Sequence, residues 1–96
     1  MPAYLIAEIE VTDEAAYAEY RKLTPAAIAA YGGRFIVRGG QVETKEGGWK
    51  PARLVVVEFA SMDQARRFYD SPEYAPALAI RKAASKSKLI LAEGLG

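Results

Sequence analysis

The sequence contains no cysteine and no histidine. That inventory excludes disulfides, thiol catalysis, Cys/His zinc sites, His-based triads and a haem held by a proximal His. An excess of charge of one sign is also missing. Thirteen Lys and Arg against twelve Asp and Glu leave a net charge of +1, spread along the chain. Nucleic acid and anionic membranes call for a basic patch, so neither is expected as a main partner. Long hydrophobic runs are absent too. The opening "MPAYLIAEIEVTDE" carries no basic residue, and acidic residues interrupt its apolar stretch early. It reads neither as a signal peptide nor as a membrane span, and a cytoplasmic protein is the expectation. No P-loop pattern occurs, and Gly32-Gly33 follows a helix where a P-loop would precede one. No spacing of Asp and Glu suggests a metal, and no cofactor is expected.

What is present is the profile of one soluble globular domain, residues 1–96, with 51% apolar and 26% charged residues. A chain this short buries only about 60–65% of its unfolded surface, so association would add needed stability. Residues 3–11, "AYLIAEIEV", alternate as a strand does. Leu5, Ala7, Ile9 and Val11 point one way; Tyr4, Ile6, Glu8 and Glu10 point the other. A helix over 13–31 follows, capped by Thr12 or Asp13, with an apolar stripe of Tyr17, Tyr20, Thr24, Ile28 and Tyr31. Pro25 inside it removes one backbone hydrogen bond and is expected to kink or divide it. Gly32 or Gly33 ends it.

"RFIVR", 34–38, is a second strand; Gly39-Gly40 allows a bulge or bend, after which "QVET" extends it, and "KEGGWKP" makes a hairpin connection. "ARLVVVEFA", 52–60, is the clearest strand. Ser61 and Gln64 form a capping box for the next helix. Ser71 and Pro72 restart a helix over 72–84, and "KLILAE", 88–93, is the last strand. The order β-α-β-β-α-β is the ferredoxin-like arrangement of an α+β domain. Two helices then cover one face of a four-stranded antiparallel sheet. The other face carries Tyr4, Ile6, Ile36, Leu54 and Val56 beside Glu58, too apolar for a monomer's surface. A homodimer joined through that face is expected.

The segments "YAEY", "YGGRFIVRGG", "EGGWKPARLVVVEF" and "FYDSPEYAPALAIR" together resemble the bacterial family known as domain of unknown function 1330. That family lies within the dimeric α/β-barrel superfamily, and the match spans nearly the whole chain. The resemblance implies a ferredoxin-like fold and a dimer in which two sheets form a barrel. Its superfamily includes cofactor-independent monooxygenases, isomerases, haem enzymes and subunits without known chemistry, so the reaction is left open.

Candidate site residues gather on the open face. Glu58, Glu8 and Tyr4 lie there, with Arg38 or Arg34 directed at them from the neighbouring strand. In a semi-enclosed pocket, Glu58 or Glu8 would serve as general base while Arg38 held a substrate anion. The alternative is an interface ion pair that sets register. Tyr17, Tyr20 and Tyr31 either line a ligand cavity or belong to the core with satisfied hydroxyls. Trp49 is an interface anchor or a cap on the sheet edge. Arg81 near "SPEY" could hold a phosphate or carboxylate at a helix start, although Ser-Pro-Glu suffices to start a helix. An RNA-recognition reading is weak, because Leu54, Val56 and Glu58 stand where stacking aromatics are required. Two functions follow from different classes. One is an enzyme or binder of a small anionic or aromatic molecule using Glu58, Arg38 and Tyr20. The other is a non-catalytic dimeric accessory or stress-associated module.

Overall fold

Strict alternation in the first strand decides which side of the sheet becomes interior. In a computed structural model describing residues 1–96, that strand is β1, Ala3–Val11. It is followed by α1 (Glu14–Ala30), β2 (Arg34–Arg38), β3 (Leu54–Phe59), α2 (Met62–Tyr69), α3 (Ala75–Ala84) and β4 (Ser85–Glu93). The fold is the expected ferredoxin-like one, with the second helical segment split in two. All pairings are antiparallel, in the order β2-β3-β1-β4. Ala3, Leu5, Ala7 and Ile9 of β1 and Val55, Val57 and Phe59 of β3 are buried under the helices. Phe68 of α2 and Tyr74, just before α3, pack together in this core, with ring centroids 4.4 Å apart. The other face is uncovered within one chain, so the sheet is open and does not close into a barrel by itself.

Local chemistry explains most element ends. Asp13 caps α1 by accepting the Ala16 N–H at 3.0 Å, and Ser61 caps α2 by accepting from Gln64. At the end of α1, Gly33 N–H donates to the Ile28 carbonyl and Gly32 N–H to that of Ala29. This is a Schellman ending, and Gly32 takes the left-handed conformation it requires, φ 72°.

Five local expectations are corrected. The α-helix α3 begins at Ala75, not Pro72, because Ser71 holds a separate turn: its hydroxyl accepts the Tyr74 N–H and its carbonyl the Ala75 N–H. Strand β4 begins at Ser85, not Lys88, since Ser85 and Ser87 pair with Val11 and Ile9 along the full length of β1. Gln41–Thr44 does not extend β2, and β3 is shorter than 52–60 at both ends. Finally, α1 passes through Pro25 undivided. Proline has no N–H for the carbonyl four residues earlier, that of Arg21. That carbonyl instead accepts from the Arg38 guanidinium at 3.1 Å, with the Thr24 hydroxyl at 3.5 Å. A side chain from β2 thus supplies the bond that the proline removed.

Candidate functional site

The position of a single extra residue in β2 determines which side chains can meet. Arg34 faces Glu58 and Phe35 faces Val57, but the next partners are Val37 with Val56 and Arg38 with Val55. Ile36 is the surplus residue of a β-bulge, and it reverses the side-chain alternation. Arg34 therefore shares the open face with Glu58, whereas Arg38 shares the helix-covered face with Val55. The bulge lies at Ile36, and Gly39 makes a bend after the strand.

On the open face, the Arg34 guanidinium contacts Glu58 Oε1 through Nε and Nη2, both at 2.8 Å. Tyr4 donates to Glu58 Oε2 at 3.4 Å. Around this trio lie Ile6, Leu54, Val56, Ala92 and Ile90, the last of them 59% exposed. Glu8 and Glu10 stand opposite Lys88 and Lys86 in the register of β1 with β4. The pocket expected from Glu58 with Arg38 does not form, since the two occupy opposite faces of the sheet. Glu8 is likewise on the side away from Arg38.

Beneath the helices, α1 and the sheet enclose a slot lined mainly by apolar and aromatic side chains. Tyr17, Tyr20, Phe35, Val57 and Leu89 form its walls, and Arg21, Arg38 and Arg53 also border it. Its free interior is about 20 Å³, enough for a single water. Arg38 lies over the Phe35 ring, 4.3 Å from its centroid, and Arg53 over that of Tyr17 at 5.6 Å. Gly39, φ 71°, lets the Arg53 guanidinium approach the chain there; a Cβ would come within 2.6 Å of Arg53 Cζ. No carboxylate forms an ion pair with Arg21, Arg38 or Arg53.

A buried polar chain backs the slot. The Tyr20 and Tyr74 hydroxyls are 2.9 Å apart, and Arg81 Nε donates to the Tyr74 oxygen at 3.3 Å. Arg81 Nη1 also donates to the Ser87 hydroxyl. Only 4% of Arg81 is exposed, and no carboxylate pairs with it. Burial, then the neighbouring Tyr74, pushes the Tyr20 phenol far above its ordinary range. Burial lowers the Arg81 pKa, but Tyr74 and Tyr20 beside it outweigh that and raise it overall. Tyr20 thus stays a neutral phenol at the slot's wall.

The expected residues are dispersed accordingly. Tyr17, Tyr20 and Arg38 come together at the slot. Arg81 stands behind it, and its guanidinium is interior and not an anion site at a helix start. Tyr4, Arg34 and Glu58 form the open-face trio. Tyr31 bonds Glu73 on the surface at 2.9 Å. Trp49 sits 60% exposed on the loop between β2 and β3, where its carbonyl accepts from Thr44. The sequence reading passed over Arg21, Arg53 and Tyr74. Arg21 was detectable, lying four residues after Tyr17 on the same helical stripe. Arg53 immediately precedes a buried strand and carried no such signal.

Comparison with known proteins fixes the lineage. The profile of the family described as "Domain of unknown function (DUF1330)" matches residues 2–95. The chain belongs to this family. No curated protein matches it significantly. Among solved structures, RPA0582, a protein of unknown function from Rhodopseudomonas palustris, superimposes with a TM-score of 0.76 at 18% identity, covering 99% of this chain and 83% of that one. SnoaB, described as a cofactor-independent oxygenase from Streptomyces nogalater, gives 0.59 at 19% identity, covering 99% and 94%. A dimeric protein of unknown function and ferredoxin-like fold from Bacteroides fragilis gives 0.63 at 13% identity, covering 97% and 96%. Likenesses at these identities establish the shared fold.

Proposed function

We propose that the chain acts as a cytoplasmic homodimer whose subunits each receive a small anionic or aromatic molecule in the slot between α1 and the sheet, without a resident cofactor. The observation that carries this reading is that Tyr20 and Arg38 both border one apolar-walled slot. A neutral phenol there can donate to an oxygen that gains negative charge, an interaction that strengthens when water is excluded. Arg38 would anchor an anionic group. The fold it shares with a protein described as a cofactor-independent oxygenase agrees with chemistry done by side chains alone.

The dimer in this reading joins through the open faces, two sheets closing into a barrel. Three features support it. The face is apolar at its centre; its charges are of both signs and hence self-complementary about a two-fold axis; and a protein of this fold is described as dimeric. Glu58 and Arg34 would then fix the register between subunits instead of performing acid–base chemistry. No helix is long and apolar enough to cross a membrane.

The small volume of the slot favours a second reading, a non-catalytic dimeric module with a packed interior. Native mass spectrometry of protein purified from its source separates the two. A retained small molecule, lost in the Tyr20→Phe or Arg38→Met variant, supports the ligand site. Mass equal to that of the bare dimer, together with no binding of any aromatic acid, would leave the module.

A further inference from the structure

We propose that Arg21, Arg38 and Arg53 form one anion site that takes the carboxylate of an aromatic carboxylic acid, whose ring enters the apolar slot. The proposal rests on the slot being a ligand site and names what that ligand is. Arg21 of α1, Arg38 of β2 and Arg53, the residue before β3, border a single slot, and none forms an ion pair with a carboxylate. A carboxylate at this slot would meet positive charge from three separate parts of the chain. The guanidinium fork matches a carboxylate in two-point geometry, which a lysine cluster would not.

Two of the three are held in place before any ligand arrives. Arg38 is fixed by the carbonyl that Pro25 leaves without a helical partner, and by the Phe35 ring. Arg53 lies across Tyr17 and against Gly39. Its Nε is the one buried side-chain polar atom without a hydrogen-bond partner, a donor still to be satisfied.

The surroundings select the rest of the ligand. Ile9, Tyr17, Arg21 and Arg53 border both the slot and an adjoining surface groove of about 310 Å³. A ligand can thus place its anion where the two meet and its apolar body inward. Inside are Tyr17, Phe35, Phe68 and Leu89, with the Tyr20 hydroxyl as polar group on the wall. Glu10 and Glu14 border the outer groove and disfavour a highly charged ligand such as a polyphosphate. Because the slot now holds about one water, the ring enters only as side chains at the mouth give way. Binding is therefore expected to be modest and to perturb Tyr17 and Phe35.

Titration of the intact protein with benzoate, benzyl alcohol and inorganic phosphate, followed by NMR, tests this. Benzoate is expected to bind with shifts at Tyr17, Phe35 and the three arginines, and benzyl alcohol at least about tenfold more weakly, the loss of one charge-assisted hydrogen bond. Arg53→Met weakens benzoate by a similar factor and benzyl alcohol by much less. Arg38→Lys serves as second variant, since Arg38→Met would also strand the Arg21 carbonyl. Benzyl alcohol binding as tightly as benzoate would overturn the arginine anchor while sparing the slot. Phosphate displacing benzoate at equal affinity would overturn the aromatic acid. Neither organic molecule binding would overturn the aromatic acid alone; the ligand-site reading falls only if phosphate also fails to bind and the purified dimer retains no small molecule.

Discussion

Replacing Tyr74 with Phe isolates the buried polar chain. The ring is 1% exposed and packs on Phe68, so Phe retains the apolar contacts and only the hydroxyl is lost. That oxygen accepts from Arg81 at 3.3 Å and lies 2.9 Å from the Tyr20 hydroxyl. Its removal takes a partner from the buried, charged Arg81 and from the half-buried Tyr20 hydroxyl. A stranded neutral group costs about 1–3 kcal/mol and a charged one more. The long Arg81 contact and the remaining bond to Ser87 soften the effect, which gives about 3 kcal/mol in all. For a domain of this size that is a fall in Tm of roughly 12–24 °C. Tyr20→Phe leaves Tyr74 still bonded to Arg81 and costs about 1 kcal/mol. Urea denaturation followed by circular dichroism, at one protein concentration, measures both as midpoint shifts at unchanged slope. Adding Arg81→Met to Tyr74→Phe removes the stranded charge, so the double variant is more stable than Tyr74→Phe alone. A Tyr74→Phe effect no larger than that of Tyr20→Phe would refute the reasoning, as would a double variant less stable than the single.

Three further outcomes are expected. The Tyr20 phenol is neutral in both states below its ordinary pKa of 10.0; above it, the unfolded chain loses that proton while the folded one keeps it. Stability therefore falls as pH rises beyond about 10, by up to about 1.4 kcal/mol per pH unit; denaturation midpoints between pH 9 and 11 should show a shallower fall in Tyr20→Phe. Val56→Asp puts a charge at the centre of the open face. Light scattering at micromolar concentration should show a dimer for the parent chain and a monomer for the variant, and a monomeric parent would end the dimer proposal. Gly39→Ala places a Cβ against Arg53 at a positive φ. It should cost about 1–3 kcal/mol and shift the Arg53 side-chain resonances, whereas an unchanged midpoint would show that the loop gives way freely.

The signals that proved legible were short in range. Asp13, Ser61 and Gly32 each act on backbone groups within a few residues, and β1 announces its buried side through alternation. The stripe of α1 likewise placed Tyr17 and Tyr20 inward. Less legible were features set by a neighbour in space. Arg81 falls on a buried stripe with Ala77 and Ala84, but only Tyr74 and Ser87, from either side of α3, explain why an arginine is tolerated there. Pro25 announced a missing hydrogen bond without revealing that Arg38 would replace it.

The sequence by itself determined the order of elements, the covered and open faces of β1 and β3, and the chemistry excluded by the absence of Cys and His. These follow from periodicity and inventory, which need no knowledge of what packs on what. Only the tertiary structure decided which arginine meets Glu58. Side chains alternate with a period of two, so one extra residue reverses every orientation beyond it. The place of that residue, Ile36, depends on how β2 pairs with β3. The reversal sends Arg34 to Glu58 on the open face and Arg38 to the slot, where Arg21 and Arg53 arrive from other parts of the chain.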